Sequence, residues 1–203
     1  MKVYIFTLFL FAISLVGCDN QTDIASPSLD HQLSDGLIPM KVGYKWIYIR
    51  SYFDSTGFQS RSQFIDTLMI TQDTLINNEL WYVFSDYGIR TNRSDGVWFI
   101  SHQGIPKLGY TLTLNDSACV GFEPNPCDNY HKLVKIDEPI TVLGRKYLAN
   151  VYDWIFEFNK PVLGYRHYIV NHIGLVREEM YVQNSSDSTF LWVSKDLLYF
   201  ISD

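Results

Sequence analysis

Histidines are the first residues of this chain that could do metal or acid–base chemistry. There are five of them: His31, His102, His131, His167 and His172. A zinc-peptidase pair needs two histidines four residues apart on one face of a helix. His167 and His172 are five residues apart in strand-like sequence, which places their side chains on opposite faces. We therefore predict no metal site and no cofactor, and we expect lone histidines that are exposed or hydrogen-bonded.

The candidate nucleophiles and paired carboxylates, like the histidines, do not indicate a catalytic site. The chain lacks the Gly-x-Ser-x-Gly elbow that presents a serine nucleophile. Asp153 and Glu157 share one face of a predicted strand, but at strand rise they are about 13 Å apart, which is too far for a glycosidase pair. Glu178 and Glu179 are neighbours, so their side chains should point to opposite faces. The sequence predicts no catalytic residue, and we expect a protein that is not an enzyme.

Tryptophans offer a different kind of chemistry, because their rings can stack on sugars. Each of the five lies in an apolar, strand-like run: Trp46, Trp81, Trp98, Trp154 and Trp192. Burial in a core is the commoner fate of such residues. Core packing is therefore the favoured interpretation, and glycan binding stays open as an alternative.

The elements that must position these residues are predicted to be β-strands. Turn signals such as Asn77-Asn78, Ser94-Asp95-Gly96 and Gly144-Arg145 separate short runs that are rich in aromatic and β-branched residues. We expect Pro139 to separate two of these strands. Since no stretch has a helical period with caps, the pattern predicts an all-β fold. This fold would be an antiparallel meander of roughly 9–11 strands curled into a barrel or a sandwich.

Length and charge limit the partners. The 203 residues include 16 Lys+Arg and 22 Asp+Glu, so the net charge is −6. A mildly acidic protein repels phosphate backbones, and nucleic acid is therefore not an expected partner.

The beginning of the chain is typical of an export signal. Lys2 is followed by an apolar run from Val3 to Val16, which is shorter than the roughly 20 residues that a membrane-spanning helix needs. The segment Leu15-Val16-Gly17-Cys18 resembles the lipobox of bacterial lipoproteins. This resemblance implies cleavage before Cys18, lipidation of the Cys18 thiol, and membrane attachment through that lipid.

Three segments follow from this reading. They are a signal peptide over residues 1–17, a lipidated flexible tether over 18–38 and a single β domain over 39–203.

Once Cys18 is assigned to the lipid, Cys119 and Cys127 form an even pair in a compartment that permits disulfides. We predict a Cys119–Cys127 disulfide. The alternatives are two free thiols, or a metal pair with His131 as the only nearby further ligand.

Two further stretches carry a second resemblance. The segments PMKVGYKWIY, from Pro39 to Tyr48, and HIGLVREE, from His172 to Glu179, resemble motifs of β-rich lipoproteins of unknown function that are common in Bacteroidota. The resemblance implies an antiparallel β fold and no particular activity.

We expect a non-enzymatic, lipid-anchored binding or scaffold module of the cell envelope, at the outer membrane, with a protein, lipid or glycan as its ligand. The alternatives are an envelope hydrolase with a dispersed site and a glycan-binding lipoprotein.

Overall fold

Twelve β-strands build the folded part of the protein. The computed structural model describes residues 36–101, 103–119, 129–156, 164–183 and 188–202. These residues form β1 (Lys45–Tyr52), β2 (Phe64–Ile76), β3 (Glu79–Phe84), β4 (Ile89–Arg93), β5 (Gly96–Ile100), β6 (Pro106–Thr111), β7 (Ser117–Cys119), β8 (Asn129–Val142), β9 (Arg145–Phe156), β10 (Gly164–Val170), β11 (Gly174–Gln183) and β12 (Thr189–Ile201). No helix occurs among them, so the predicted all-β class is confirmed, with twelve strands where 9–11 were expected. Accordingly, no described segment is a helix long and apolar enough to cross a membrane.

The strands form one antiparallel sheet whose order follows the chain. The order is β6-β5-β4-β3-β2-β1-β12-β11-β10-β9-β8-β7. The first and last strands pair with each other in the middle of the sheet, through Lys45 opposite Ile201 and the positions that follow. Every other neighbour is the next strand along the chain, so short connections suffice throughout. The two edges of the sheet are β6 and β7, which are also consecutive in the sequence.

The sheet curls until β6 lies against the strands near the opposite edge. The His131 ring on β8 donates from Nδ1 to the Gly109 carbonyl oxygen of β6 at 2.7 Å. The Tyr152 hydroxyl on β9 donates to the carbonyl oxygen of Thr111 at 2.8 Å. These side-chain contacts take the place of a complete backbone ladder, and the result is a nearly closed barrel. The structure therefore selects the barrel from the two predicted architectures.

The β2–β3 hairpin shows why the local sequence produces these turns. Asn77 and Asn78 have φ values of 53° and 63°, in the left-handed region that asparagine tolerates better than most residues. The two-residue turn brings Ile76 opposite Glu79, and the ladder continues back to Ile70 opposite Phe84. The predicted turn at Asn77-Asn78 is therefore confirmed.

Strand β8 differs from the expectation that Pro139 would end a strand. It runs without interruption from Asn129 to Val142, with Pro139 opposite Leu148 of β9. The ladder has register shifts between Leu133 and Glu138, and Asp137 has a φ of 53°. Proline is tolerated beside such irregularities. The strand bends there and continues.

Aromatic side chains are the largest members of the core. The Trp46 ring stacks between Phe84 and Phe200, with ring centroids 5.9 Å and 5.3 Å apart. The Trp46 Nε1 donates to the carbonyl oxygen of Ile173 at 2.5 Å, so this large ring is buried with its polar atom paired. Leu37 and Ile38, at the end of the predicted tether, also pack in this core.

Candidate functional site

The barrel contains a cavity of about 640 Å³. Its mouth lies at a gap in the sheet, because β2 pairs with β1 over Phe64–Met69 but pairs with β3 only from Ile70 onward. Asp66, Thr67 and Leu68 form one side of this gap, and the β3–β4 turn with Ser85 and Asp86 forms the other. A volume of 300–1,000 Å³ is typical of small-molecule sites. The cavity is therefore large enough for a small ligand.

Aromatic side chains make up most of the apolar part of the cavity walls. The apolar and aromatic side chains that line it are Ile38, Trp46, Tyr48, Leu68, Phe84, Phe99, Tyr110, Trp154 and Leu175. They come from strands on both halves of the sheet and from the segment before β1. Such walls favour a ligand with an apolar body, which would gain the free energy of removing that body from water.

Two ion pairs stand at the mouth. Arg50 pairs with Asp66, and both side chains are about one-third exposed. Arg90 pairs with Asp86, and the Arg90 guanidinium also lies 4.2 Å from the centroid of the Phe84 ring. Each charge at the mouth therefore has an opposite charge beside it, and neither pair presents a bare ion to the cavity.

A row of polar side chains crosses five neighbouring strands at one level of the barrel. In the sheet register Arg50 of β1 is opposite Lys195 of β12, and Lys195 is opposite Glu178 of β11. Glu178 is opposite His167 of β10, which in turn is opposite Tyr152 of β9. Side chains at one level point to the same face, and here that face is the interior. The first four members of this row line the cavity.

Glu178, His167 and Tyr110 form a connected chain inside the barrel. The Glu178 Oε2 lies 3.3 Å from the His167 Nε2, and the Tyr110 hydroxyl lies 2.8 Å from the His167 Nδ1. Burial acts to raise the pKa of Glu178, but the contact with His167 and the positive charges of Lys195 and Arg50 outweigh it and lower the pKa overall. The carboxylate therefore stays ionised and orients the imidazole.

This chain resembles a carboxylate–histidine–hydroxyl relay, but its last member is not activated. Burial raises the pKa of the Tyr110 hydroxyl far above the usual range, and the negative charge of Glu178 adds to this effect. A catalytic nucleophile needs its pKa lowered or a base that removes its proton. Tyr110 therefore remains protonated, and its hydroxyl shares a hydrogen bond with the Nδ1 of His167.

His131 is not a member of this hydrogen-bonded chain, although its ring contacts the ring of Tyr110. Its ring stacks on Tyr110 with centroids 4.5 Å apart and an angle of 8° between the planes, and it meets the edge of Trp154 at 4.9 Å. Burial lowers the pKa of His131 to about 3, and the nearby His167 contributes to this effect. His131 is therefore a neutral imidazole in the wall of the cavity.

The structure brings together two histidines that the sequence treated as lone residues. The His131 and His167 ring centroids are 5.3 Å apart, so the expectation of lone histidines is wrong for this pair. His172 lies exposed in the β10–β11 turn with a φ of 62°. His31 and His102 lie outside the described residues. Within the described residues, no three His, Cys, Asp or Glu side chains are grouped to hold a metal ion.

The carboxylates considered from sequence separate as the strand geometry requires. Glu178 lines the cavity, whereas Glu179 accepts hydrogen bonds from the Tyr168 and Tyr181 hydroxyls at 2.9 and 2.7 Å. Asp153 forms two hydrogen bonds with the Arg166 guanidinium, at 2.6 and 3.1 Å. Glu157 lies outside the described residues. Glu178, Glu179 and Asp153 are thus each engaged by partners within the protein.

Two of the cysteines fall outside the described part. Cys18 of the predicted lipobox and Cys127 of the predicted disulfide lie there, while Cys119 is the last residue of β7. The lipidation and the disulfide therefore stay predictions.

The tryptophans divide between the core and more open positions. Trp46 and Trp81 are fully buried, so the predicted core role is confirmed for these two. Trp154 lines the cavity, and Trp98 is half-buried with the Arg93 guanidinium 4.1 Å from its ring centroid. Trp192 is 39% exposed. The five rings therefore do not form one exposed row on which a glycan could stack.

The sequence did contain a signal for the charged lining residues. Lys195 stands two residues from the buried Val193 and two from the buried Leu197, and Arg50 stands two residues after the buried Tyr48. A charged residue that shares the period-2 face of buried apolar neighbours must point inward. This pattern predicts an interior polar site without saying which strands meet there.

Comparisons with known proteins give a likeness of fold. No protein-family model matches the chain, and no curated protein matches it. A candidate exported protein with a YmcC-like fold from Bacteroides fragilis NCTC 9343 is similar at 9% identity and a TM-score of 0.49, over 81% of this chain and 98% of that one. A candidate lipoprotein from Parabacteroides distasonis ATCC 8503 is similar at 12% identity and a TM-score of 0.47, over 82% and 99%. Neither name states a ligand or an activity.

Proposed function

We propose that this protein is a lipid-anchored binding protein of the cell envelope that takes up a small amphipathic molecule in its barrel cavity and catalyses no reaction. The observation that carries the proposal is the cavity of about 640 Å³, whose lining combines six aromatic side chains with a row of four polar ones. A concave, mostly apolar site with a small number of convergent polar groups is the usual form of a ligand pocket.

The chemistry of the polar groups supports binding over turnover. Tyr110 has a raised pKa, and Asp66 and Asp86 are engaged in ion pairs. Glu178 is directed at one nitrogen of His167, and the other nitrogen of His167 shares a hydrogen bond with the Tyr110 hydroxyl. Groups committed to each other in this way fix the shape of a site and leave no free general base.

A cavity-filling substitution tests the proposed binding. N-phenyl-1-naphthylamine, whose fluorescence rises in apolar surroundings, is titrated into the purified protein, and we expect a saturable rise. Leu175→Trp places a larger side chain in the cavity wall and should abolish most of that rise. The matched control is Leu148→Trp, at a position that is 60% exposed and outside the cavity. If the probe does not bind, or binds equally to the Leu175 variant, the cavity is not the binding site.

The hydrolase alternative is tested by a separate assay. Esterase, glycosidase, peptidase and phosphatase substrates are offered to the wild type and to His167→Gln and Glu178→Gln, and we expect no turnover in any of them. Reproducible turnover by the wild type that disappears in these two variants would replace the binding proposal by a hydrolase.

The anchor is proposed at Cys18, with the domain held at the outer membrane. Several acyl chains on one terminus hold a protein on a bilayer almost permanently, since each buried CH₂ contributes about 0.8 kcal/mol. Cys18→Ser should therefore end the incorporation of labelled palmitate and release the protein from the membrane fraction. Membrane fractionation of the wild type, with inner and outer membranes separated, tests the location. Unchanged palmitate incorporation in the variant would contradict the anchor.

A further inference from the structure

The His131 imidazole has a fixed tautomer. Its Nδ1 lies 2.7 Å from the carbonyl oxygen of Gly109, and a carbonyl oxygen can only accept. The proton of the neutral ring therefore sits on Nδ1. Because burial lowers the pKa of His131 to about 3, with His167 adding to the effect, the ring remains neutral at any physiological pH. The Nε2 of His131 is then a hydrogen-bond acceptor only.

This acceptor is buried and has no partner. The His131 side chain lines the cavity and is only 4% exposed, yet within the described residues no donor reaches its Nε2. A buried polar atom left without a hydrogen bond costs free energy, and nearly all such atoms in folded proteins find a partner. An acceptor of this kind in a cavity wall is suited to a donor that arrives from outside the chain.

The polar neighbours of His131 are already committed elsewhere. The Tyr110 hydroxyl, whose ring stacks on His131, is directed at the His167 Nδ1. The other nitrogen of His167 faces Glu178 at 3.3 Å. These two groups therefore leave the Nε2 of His131 open to a donor from a bound ligand.

The remaining charges of the lining balance each other. Arg50 pairs with Asp66 and Arg90 pairs with Asp86. Lys195 lies 4.6 Å from the centroid of the Tyr48 ring and is opposite Glu178 in the sheet register. The Arg and Lys side chains of the lining thus number three against three carboxylates, so these six residues carry no excess charge that would match a charged ligand. Aromatic walls together with a balanced set of charges favour an uncharged ligand with an apolar ring system.

We infer that the cavity binds an uncharged, ring-containing apolar molecule that donates a hydroxyl or N–H hydrogen bond to the Nε2 of His131. This inference rests on the proposed binding function and names the ligand class for the same site. The ring system of the ligand lies among the aromatic walls. Its donor lies beside the stacked pair of His131 and Tyr110.

A pair of probes, one with a hydroxyl donor and the other with that hydroxyl methylated, tests the inference. 2-Naphthol carries a hydroxyl, and 2-methoxynaphthalene has the same ring system without a donor. Both are titrated into the purified protein by calorimetry at pH 7, and we expect 2-naphthol to bind at least about tenfold more tightly, because only it satisfies the buried acceptor. His131→Phe keeps an aromatic ring against Tyr110 but removes Nε2, so it should bind the two probes equally. His172→Asn, at the exposed turn, is the control and should keep the preference.

The outcomes separate this inference from the proposed function. If the wild type binds both naphthalenes equally, or if the preference persists in His131→Phe, His131 is not the acceptor and the inference is wrong. If N-phenyl-1-naphthylamine, which itself carries an N–H donor, binds while neither naphthalene does, the binding that the inference expects of 2-naphthol is absent, so the inference is wrong and the cavity site stands. If N-phenyl-1-naphthylamine does not bind either, the proposed function fails as well. The comparison of the two probes in the wild type needs no variant, so equal binding of the two would refute the inference even if His131→Phe does not fold.

Discussion

The buried imidazole of His131 should make the stability of this protein depend on pH. In the folded protein its pKa is about 3, chiefly because the side chain is buried. In the unfolded chain it returns to the ordinary value of about 6.5. At a pH between these two pKa values the imidazole is protonated in the unfolded state but not in the folded state. Acidification therefore favours unfolding, and the stabilising effect of His131 is complete only above about pH 6.5.

The size of this effect follows from the two pKa values. With about 6.5 in the unfolded chain and about 3 in the folded protein, the free energy of unfolding should fall by about 2 kcal/mol between pH 7 and pH 5. Glu178, whose folded pKa is lowered, also loses its stabilising effect in acid. That loss begins near the ordinary carboxyl range, around pH 4.5, so the window from pH 5 to pH 7 is dominated by imidazoles.

Urea denaturation of the wild type and His131→Phe at pH 5, 6 and 7 measures this directly. The variant loses the hydrogen bond to Gly109 and should be less stable at pH 7, but its stability should fall by about 2 kcal/mol less on acidification than that of the wild type. His172→Asn, at an exposed position of the β10–β11 turn, is the matched histidine control. Equal pH slopes for the wild type and His131→Phe would show that His131 is not held neutral by burial.

Three further predictions concern the stability of the fold. Gly96→Ala should lower the free energy of unfolding by more than about 2 kcal/mol in urea denaturation. The reason is that φ is 148° at Gly96 and an added Cβ would stand 1.8 Å from the Tyr110 carbonyl oxygen. A stability equal to that of the wild type would contradict the close packing of β5 on β6. Tyr152→Phe removes the buried hydroxyl that donates to the end of β6 and should cost about 1–2 kcal/mol by the same measurement, and no loss would show that this contact does not hold the barrel closed. The predicted disulfide between Cys119 and Cys127 should stabilise the fold by about 2.5 kcal/mol and should make the unreduced protein two hydrogens lighter in mass spectrometry; alkylation of both thiols without a reductant would refute it.

Local sequence patterns were sufficient for the class of fold. Asparagine pairs and glycines mark turns because they tolerate positive φ, and alternating aromatic and β-branched residues mark strands with a buried face. The Asn77-Asn78 hairpin was predicted for this reason and is present. The expected break at Pro139 was wrong, because the ladder shifts its register nearby and the strand continues. A shift of this kind depends on the partner strand, which local sequence does not describe.

The cavity site shows where sequence reasoning stopped. The period-2 pattern is enough to place His131, His167 and Glu178 on inward faces of their strands, since that depends only on the alternation of side chains. It does not bring them together. Tyr110 and the His167 imidazole are 57 positions apart in the chain, yet their atoms are 2.8 Å apart.

The sequence by itself determined an all-β chain with inward and outward faces on each strand. The tertiary structure decided which inward residues meet, because that depends on the register of every strand pair and on the degree to which the sheet curls. In this barrel β6 reaches across to β8, β9 and β10, and that closure stacks Tyr110 on His131. Closure is a property of the summed twist and stagger of all strands, so no single segment encodes it.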